Sequence, residues 1–308
     1  MSNKCAVVTG ANGFIGRNLV ISLLKNDYFV FAVVTEEESL KDLCNDNLKQ
    51  VKLFFEDYCK LTSIIDLNVD IFYHCAWQGV WGKAFEDYSL QMNNAIVSGK
   101  TMEIAALLKA KKFVLISTVN VLETKKVILE SDKYLKLRAT TNYAMAKISA
   151  EMICRTLSSS NGVEFNCAYI AMVFGEGNYS LMVPNVVMKK LLHGNSPDLI
   201  EGNGLYDLIY VKDVADGLLA IGERGKNMIS YYLGHRQLKT FKEIFTEIGL
   251  ILNKDVKMNF GAYPDANYID YSLVDLDALH RDTGFETNHS FEDSILSTSK
   301  WIKENLGD

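Results

Sequence analysis

The stretch TGANGFIGRNLV, Thr9–Val20, decides the reading of this chain. Three glycines, Gly10, Gly13 and Gly16, stand between an apolar run, Cys5–Thr9, and a helix-like run, Ile15–Asn26. A strand, a glycine turn and a helix in that order aim backbone N–H groups and the helix dipole at a phosphate. Glycine is needed where a side chain would keep a pyrophosphate away from the backbone. The GxxGxxG spacing is one residue wider at its first step than the GxGxxG fingerprint. Taken alone, it suits a plain turn as well as a dinucleotide cradle. Its place at the first strand–helix junction favours the cradle, with Gly10, Asn12, Gly13, Phe14, Ile15 and Gly16 as cofactor contacts.

Working outward, the first half alternates short apolar runs with helical patterns. Strands are expected at Tyr28–Thr35, Gln50–Phe55, Val69–Ala76, Lys112–Thr118 and Glu164–Ala171, with long helices over Phe85–Ala110 and Thr141–Leu157. Continuously apolar strands alternating with helices predict an α/β fold: a Rossmann-type, doubly wound parallel sheet. Tyr206–Ile221 reads as one more strand and helix of that lobe. The expected division is a dinucleotide-binding domain over 1–171, with 205–236 returning to it. A smaller C-terminal α/β substrate lobe would comprise 172–204 and 237–308.

The second strand ends at Val34 and Thr35 and runs into Glu36–Glu38. Thr35 is a candidate ribose contact. A strand-end carboxylate there would bind the ribose hydroxyls of NAD. Its absence, with Arg17 near the glycine turn, leans to NADP(H), so NAD and NADP both stay open. Glu36–Glu38 themselves read as the start of an exposed helix.

Composition narrows the classes. With 308 residues and a formal charge of −6, the chain offers no basic field for nucleic acid. No apolar stretch reaches the roughly 18–20 residues of a membrane span. The six cysteines are scattered without CxxC pairs. A cytoplasmic protein without disulfide framework or metal site is expected.

The chemistry signal is Tyr143 and Lys147, four apart on a helix and therefore on one face. A phenol titrates near pH ~10, and a neighbouring ammonium favours the phenolate, bringing it toward working range. Lys147 also reaches ribose hydroxyls of a bound nucleotide. Ser117 and Thr118 lie at the carboxyl end of a strand, where a hydroxyl can hold the substrate oxygen that gains or loses the proton.

With the glycine turn, Thr118, Tyr143 and Lys147 together, the chain resembles the extended short-chain dehydrogenase/reductases. More narrowly, it resembles the NAD-dependent epimerase/dehydratase family that acts on nucleotide sugars. TGANGFIG matches that family's TGxxGFIG, YAMAK its YxxxK, and YDLIYVKDVADGLL echoes its RDFIYVDDVA. The resemblance implies that Asp57 and Tyr58 contact adenine. It also implies that His74–Gly79, Ala76 among them, lines the diphosphate and ribose. His74 reads as a strand-end histidine satisfied by backbone, and Trp77 and Trp81 as walls of the substrate site or as packing. The resemblance also implies that the two long helices pair two copies in a homodimer. Three places depart from the family. Val119 and Asn120 replace the Asp–Glu pair that drives dehydration. Tyr206 stands where members that bind nucleotide diphosphates carry an arginine, and Met172 where they carry a substrate-binding asparagine; Arg138, Arg236 or Lys190 are candidate substitutes.

The sequence thus reads as an NAD(P)-dependent oxidoreductase interconverting a secondary alcohol and a ketone on a sugar or nucleotide sugar. A ketoreductase is the main reading and a 4-epimerase with retained NAD its alternative. A non-catalytic dinucleotide sensor is remote, because it has no use for the Tyr143–Lys147 pair.

Overall fold

Cys5–Thr9 forms β1, and all five of its residues are buried, as small and β-branched residues are when helices cover both faces of a sheet. The chain continues as α1 (Phe14–Lys25), β2 (Phe29–Val34), β3 (Leu48–Lys52), α2 (Leu61–Ile64) and β4 (Ile71–His74). Next come α3 (Tyr88–Leu107), β5 (Lys112–Thr118), α4 (Val121–Leu129), α5 (Ala139–Asn161), β6 (Glu164–Ile170) and β7 (Met172–Phe174). Then follow α6 (Val183–Leu192), β8 (Asp198–Ile200), β9 (Leu205–Tyr206), β10 (Leu208–Tyr210), α7 (Val211–Arg224) and β11 (Ile229–Leu233). The last elements are β12 (Lys239–Thr240), α8 (Phe241–Leu252), β13 (Asn259–Tyr263), α9 (Ala278–Thr283) and α10 (Phe291–Asn305). This computed structural model describes residues 4–80, 82–130, 137, 139–265 and 269–306. Trp81 and Arg138 lie outside the described residues.

Seven strands form one sheet in the order β11-β6-β5-β4-β1-β2-β3, every pair parallel. The chain winds outward from β1 in one direction and from β4 in the other. The switch point therefore lies between β1 and β4, where a crevice opens at the strands' carboxyl ends. Alternation on β4 assigns the covering layers. Tyr73 faces α7, where its hydroxyl presses on Gly222, while His74 faces α3 and Ser98. α1 packs on α7, and α3 packs on α5. The α3–α5 approach is close because Gly99 has no side chain: a Cβ there would meet Ile153 Cγ2 at 2.7 Å.

The fold is the expected doubly wound parallel sheet, with two differences. β10, the expected further strand in 206–221, pairs with β7 in a separate two-stranded sheet. The seventh strand of the large sheet is β11, beside β6. Its alternating sequence, ISYYL, lacks the continuous apolar run that marks the inner strands. Glu36–Glu38 form an exposed turn rather than a helix start, with Glu38 at φ 55°. Among the described residues no helix is long and apolar enough to cross a membrane.

Candidate active site

The glycine turn is built for close approach. Gly10 has φ 66°, and a Cβ on it would lie 2.8 Å from the Ala76 backbone. A Cβ on Gly16 would drive into the Gly10 carbonyl, and Gly13 is the N-cap of α1 in extended conformation. The two chain segments leaving β1 and β4 therefore touch, which only glycine permits. Asn12 spans the mouth of the turn to the end of β2. Its Nδ2 donates to Thr35 Oγ1 at 3.1 Å and its Oδ1 accepts from Thr35 N at 3.4 Å.

A cleft of about 270 Å³ opens over this turn, lined by residues following β1, β2, β3 and β4. Gly10, Asn12, Gly13, Thr35, Tyr58 and Ala76 of the expected contacts line it. Phe14, Ile15 and Gly16 sit behind them in the first turn of α1, where free N–H groups face the helix start. Asp57 is not in the lining. Its carboxylate turns out to Lys60 at 2.6 Å, an i,i+3 pair favoured by the short helical turn that carries both. Sequence reasoning missed the apolar wall Leu53–Phe55 and the inward faces of Val33 and Val34. The apolar run itself was their signal.

The segment after β4 is clamped from α3. Asn94 accepts from Gln78 N at 2.8 Å and donates to Gln78 O at 2.9 Å. Gln91, fully buried, donates to the carbonyls of Gly79 and Ala84 and accepts from Trp77 Nε1 at 2.9 Å. Beneath them Ser98 donates to Asn94 O, so His74 Nε2 must donate to Ser98 Oγ at 3.1 Å. His74 Nδ1 then accepts from Thr9 Oγ1 at 2.8 Å. Burial, reinforced by the Lys147 charge, pushes His74 down to about 3, so it stays neutral. It is structural as expected, but its partners are the Thr9 and Ser98 hydroxyls rather than backbone.

Tyr143 and Lys147 project from α5 onto Trp77, which lines this cleft. Tyr143 packs against Trp77 and Phe85, with ring centroids 6.0 and 5.1 Å away. Burial raises its phenol pKa, and the hydrogen-bonded Thr118 hydroxyl acts the other way. The expected ammonium effect on the phenol is not what the structure displays. Lys147 Nζ instead donates to Ile116 O at 2.8 Å and sits 3.7 Å from the Trp77 ring centroid. Burial pushes Lys147 down to about 7. Thr118, at the end of β5, meets Tyr143. Ser117 does not: as its neighbour on a strand it faces the other side, buried, its Oγ without a partner among the described residues.

Of the candidate anion-binding substitutes, Arg236 is engaged by Glu286 at 3.0 Å and Asp277 at 3.6 Å. Met172 stands on β7, and Tyr206 is buried against Phe241 and Phe245.

Comparison with known proteins places this geometry. The model of the NAD dependent epimerase/dehydratase family matches residues 6–234. UDP-glucose 4-epimerase 2 of Arabidopsis thaliana is 28% identical over 250 residues, covering 70% of this chain and 71% of that protein. The structure of a UDP-glucose 4-epimerase from Thermotoga maritima with UDP-glucose superposes with TM-score 0.79. It is 21% identical and covers 98% of this chain and 99% of that one. A UDP-glucuronic acid 4-epimerase from Bacillus cereus, solved with UDP-glucuronic acid and NAD, gives TM-score 0.76. Its identity is 21%, covering 97% and 99%. The chain belongs to the NAD dependent epimerase/dehydratase family.

Proposed function

We propose that this member of the family is a nucleotide-sugar 4-epimerase working through a keto intermediate with NAD. The observation that carries the reading is that Tyr143 packs edge-on against Trp77, which itself lines the cleft over the glycine turn, with Thr118 at the carboxyl end of β5 beside it. The cradle fits a dinucleotide: a Cβ at Gly10 would strike the Ala76 backbone, and free N–H groups of α1 face the turn. Gly10, Asn12, Gly13 and Ala76 would hold the diphosphate, Thr35 and Asn12 a ribose, and Tyr58 with the Phe54–Phe55 wall the adenine. Bound NAD would supply a hydride acceptor that then returns the hydride to the opposite face of the ketone.

The chain's own groups handle the proton. Thr118 orients the substrate hydroxyl, and Tyr143 Oη takes its proton as the carbinol becomes a ketone. Tyr143 gives the proton back when the carbinol re-forms. To take the proton Tyr143 must first be a phenolate, which a Lys147 ammonium turned toward it would favour. Val119 and Asn120 offer no acid–base pair for dehydration. Residues 172–204 and 237–308 would shape the sugar pocket. The exposed faces of α3 (Met92, Ile96) and α5 (Met145, Met152) would pair two copies.

A ketoreductase is the second reading. Burial raises the Tyr143 phenol pKa, which favours the form that donates to a ketone, and β2 ends on Val34 without a carboxylate to exclude NADP. The named relatives support the epimerase over it. The experiment is to incubate the protein with UDP-, dTDP- and CDP-hexoses and follow C4 inversion by NMR. Tyr143→Phe should lower the rate about 10²–10⁴-fold while leaving NAD affinity nearly unchanged. An active Tyr143→Phe protein would overturn the mechanism.

A further inference from the structure

Trp77 occupies a position that the proposed chemistry has not used. One side of the residue lines the dinucleotide cleft, and its ring face lies 3.7 Å from the Lys147 ammonium. Its ring also stands edge-on to Tyr143 at 89°. The orientation is built rather than incidental. Trp77 Nε1 is fixed by the buried Gln91 side chain, whose amide is itself spent on the carbonyls of Gly79 and Ala84. Gly79 has φ 73°, and a Cβ on it would sit 2.7 Å from Leu90, so the loop carrying the indole is seated tightly on α3.

Among the described residues the ammonium is held by the Ile116 carbonyl and the indole face, with the Tyr143 ring centroid 5.8 Å away. The other titratable groups facing it are His74 and Cys75 at the end of β4, Cys167 on β6 and Tyr143 on its own helix. His74 is held neutral, and burial pushes the Cys75 thiol up to about 12, so neither provides a counter-charge near neutrality. Burial likewise raises the Cys167 thiol and the Tyr143 phenol. An aromatic face is then the group left to stabilise a desolvated cation, which it does through its quadrupole.

We propose that Trp77 is a positioning residue: its indole face seats the Lys147 ammonium beside Tyr143 and releases it when a dinucleotide enters the cleft that Trp77 also lines. This rests on the cofactor reading above but adds a residue through which cleft occupancy is passed to the proton-transfer pair.

The chain has three tryptophans, so Trp81→Phe with Trp301→Phe leaves Trp77 as the sole indole. An adjacent ammonium quenches indole emission, whereas a neutral amine does so less. Emission of this protein should rise in a single step as pH passes through neutrality. Lys147→Arg, charged throughout, should hold it at the low level, and Lys147→Met at the high level. An emission that stays flat in the parent, or a step that survives in both variants, overturns the seating. With saturating NAD⁺, which does not absorb where indole emits, calorimetry should report binding and the pH step should vanish. A step that persists with NAD⁺ bound overturns the release. Calorimetry without any binding overturns the cofactor reading itself, and the release with it.

Discussion

At Gly10 the backbone conformation and the available space impose the same residue. A left-handed φ costs a side chain roughly 1–2 kcal/mol, and here a Cβ would also press on the Ala76 backbone at 2.8 Å. Gly10→Ala should lower stability by at least that amount and weaken NAD binding more than tenfold, measured by thermal denaturation and calorimetry. Unchanged binding would mean that the turn only changes the chain's direction. This residue was legible in the sequence because conformational need leaves a mark on residue type. Asp57 was not, because its choice between cleft and surface depends on Lys60, three residues on. Ser117 and Thr118 look alike in sequence. The strand's alternation separates them, sending Thr118 to Tyr143 and Ser117 into the packed layer.

Elements were legible where they are long or continuously apolar. β5 stands at Lys112–Thr118, matching the expectation, and the two long helices lie within a few residues of theirs. β11 and the pairing of β10 with β7 were not legible, because short mixed strands take their partners from tertiary context. The least legible feature was the clamp from α3. Gln91 reads as an ordinary polar helix residue, yet it and Asn94 are both buried and hold the segment after β4. Asn94→Ala would leave both backbone groups of Gln78 without their partner. Gln78 is itself exposed, so a loss of about 1 kcal/mol is expected, the net worth of an ordinary hydrogen bond. Urea unfolding measures it, and a change within a few tenths would show that Gln78 finds water instead.

For the molecule as a whole, two histidines set opposing pH dependences. His74 has a folded pKa pushed from 6.5 to about 3 by burial and the Lys147 charge. The unfolded chain takes up that proton first, so stability falls as pH drops below 6.5, by about 2 kcal/mol on reaching about pH 5. His235 shifts the other way. Burial would lower it, but the hydrogen bond and charge of Asp207, with Asp213 further off, raise it. Its contribution is present in full below 6.5 and is lost as pH rises through the folded value. His74 therefore costs stability on the acid side and His235 on the alkaline side, while Lys147, lowered to about 7 by burial, works against His235 by adding stability as pH rises above neutrality. In denaturation midpoints, His74→Gln should flatten the acid side and His235→Gln should remove the alkaline loss. A parent protein equally stable at about pH 5 and at neutrality would contradict the His74 assignment.

The central claim is that the cleft over the glycine turn binds a nicotinamide dinucleotide and presents it to Tyr143. The most direct test is to denature the purified protein, identify any released nucleotide, and follow the melting transition of the stripped protein with NAD⁺, NADH, NADP⁺ and NADPH. Binding predicts about 2.7 kcal/mol of added stability at 100 times the dissociation constant. Released NAD, or stabilisation by NAD⁺ and NADH above the phosphorylated pair, is the predicted result. A protein that yields no nucleotide and is stabilised by none of the four would contradict the account.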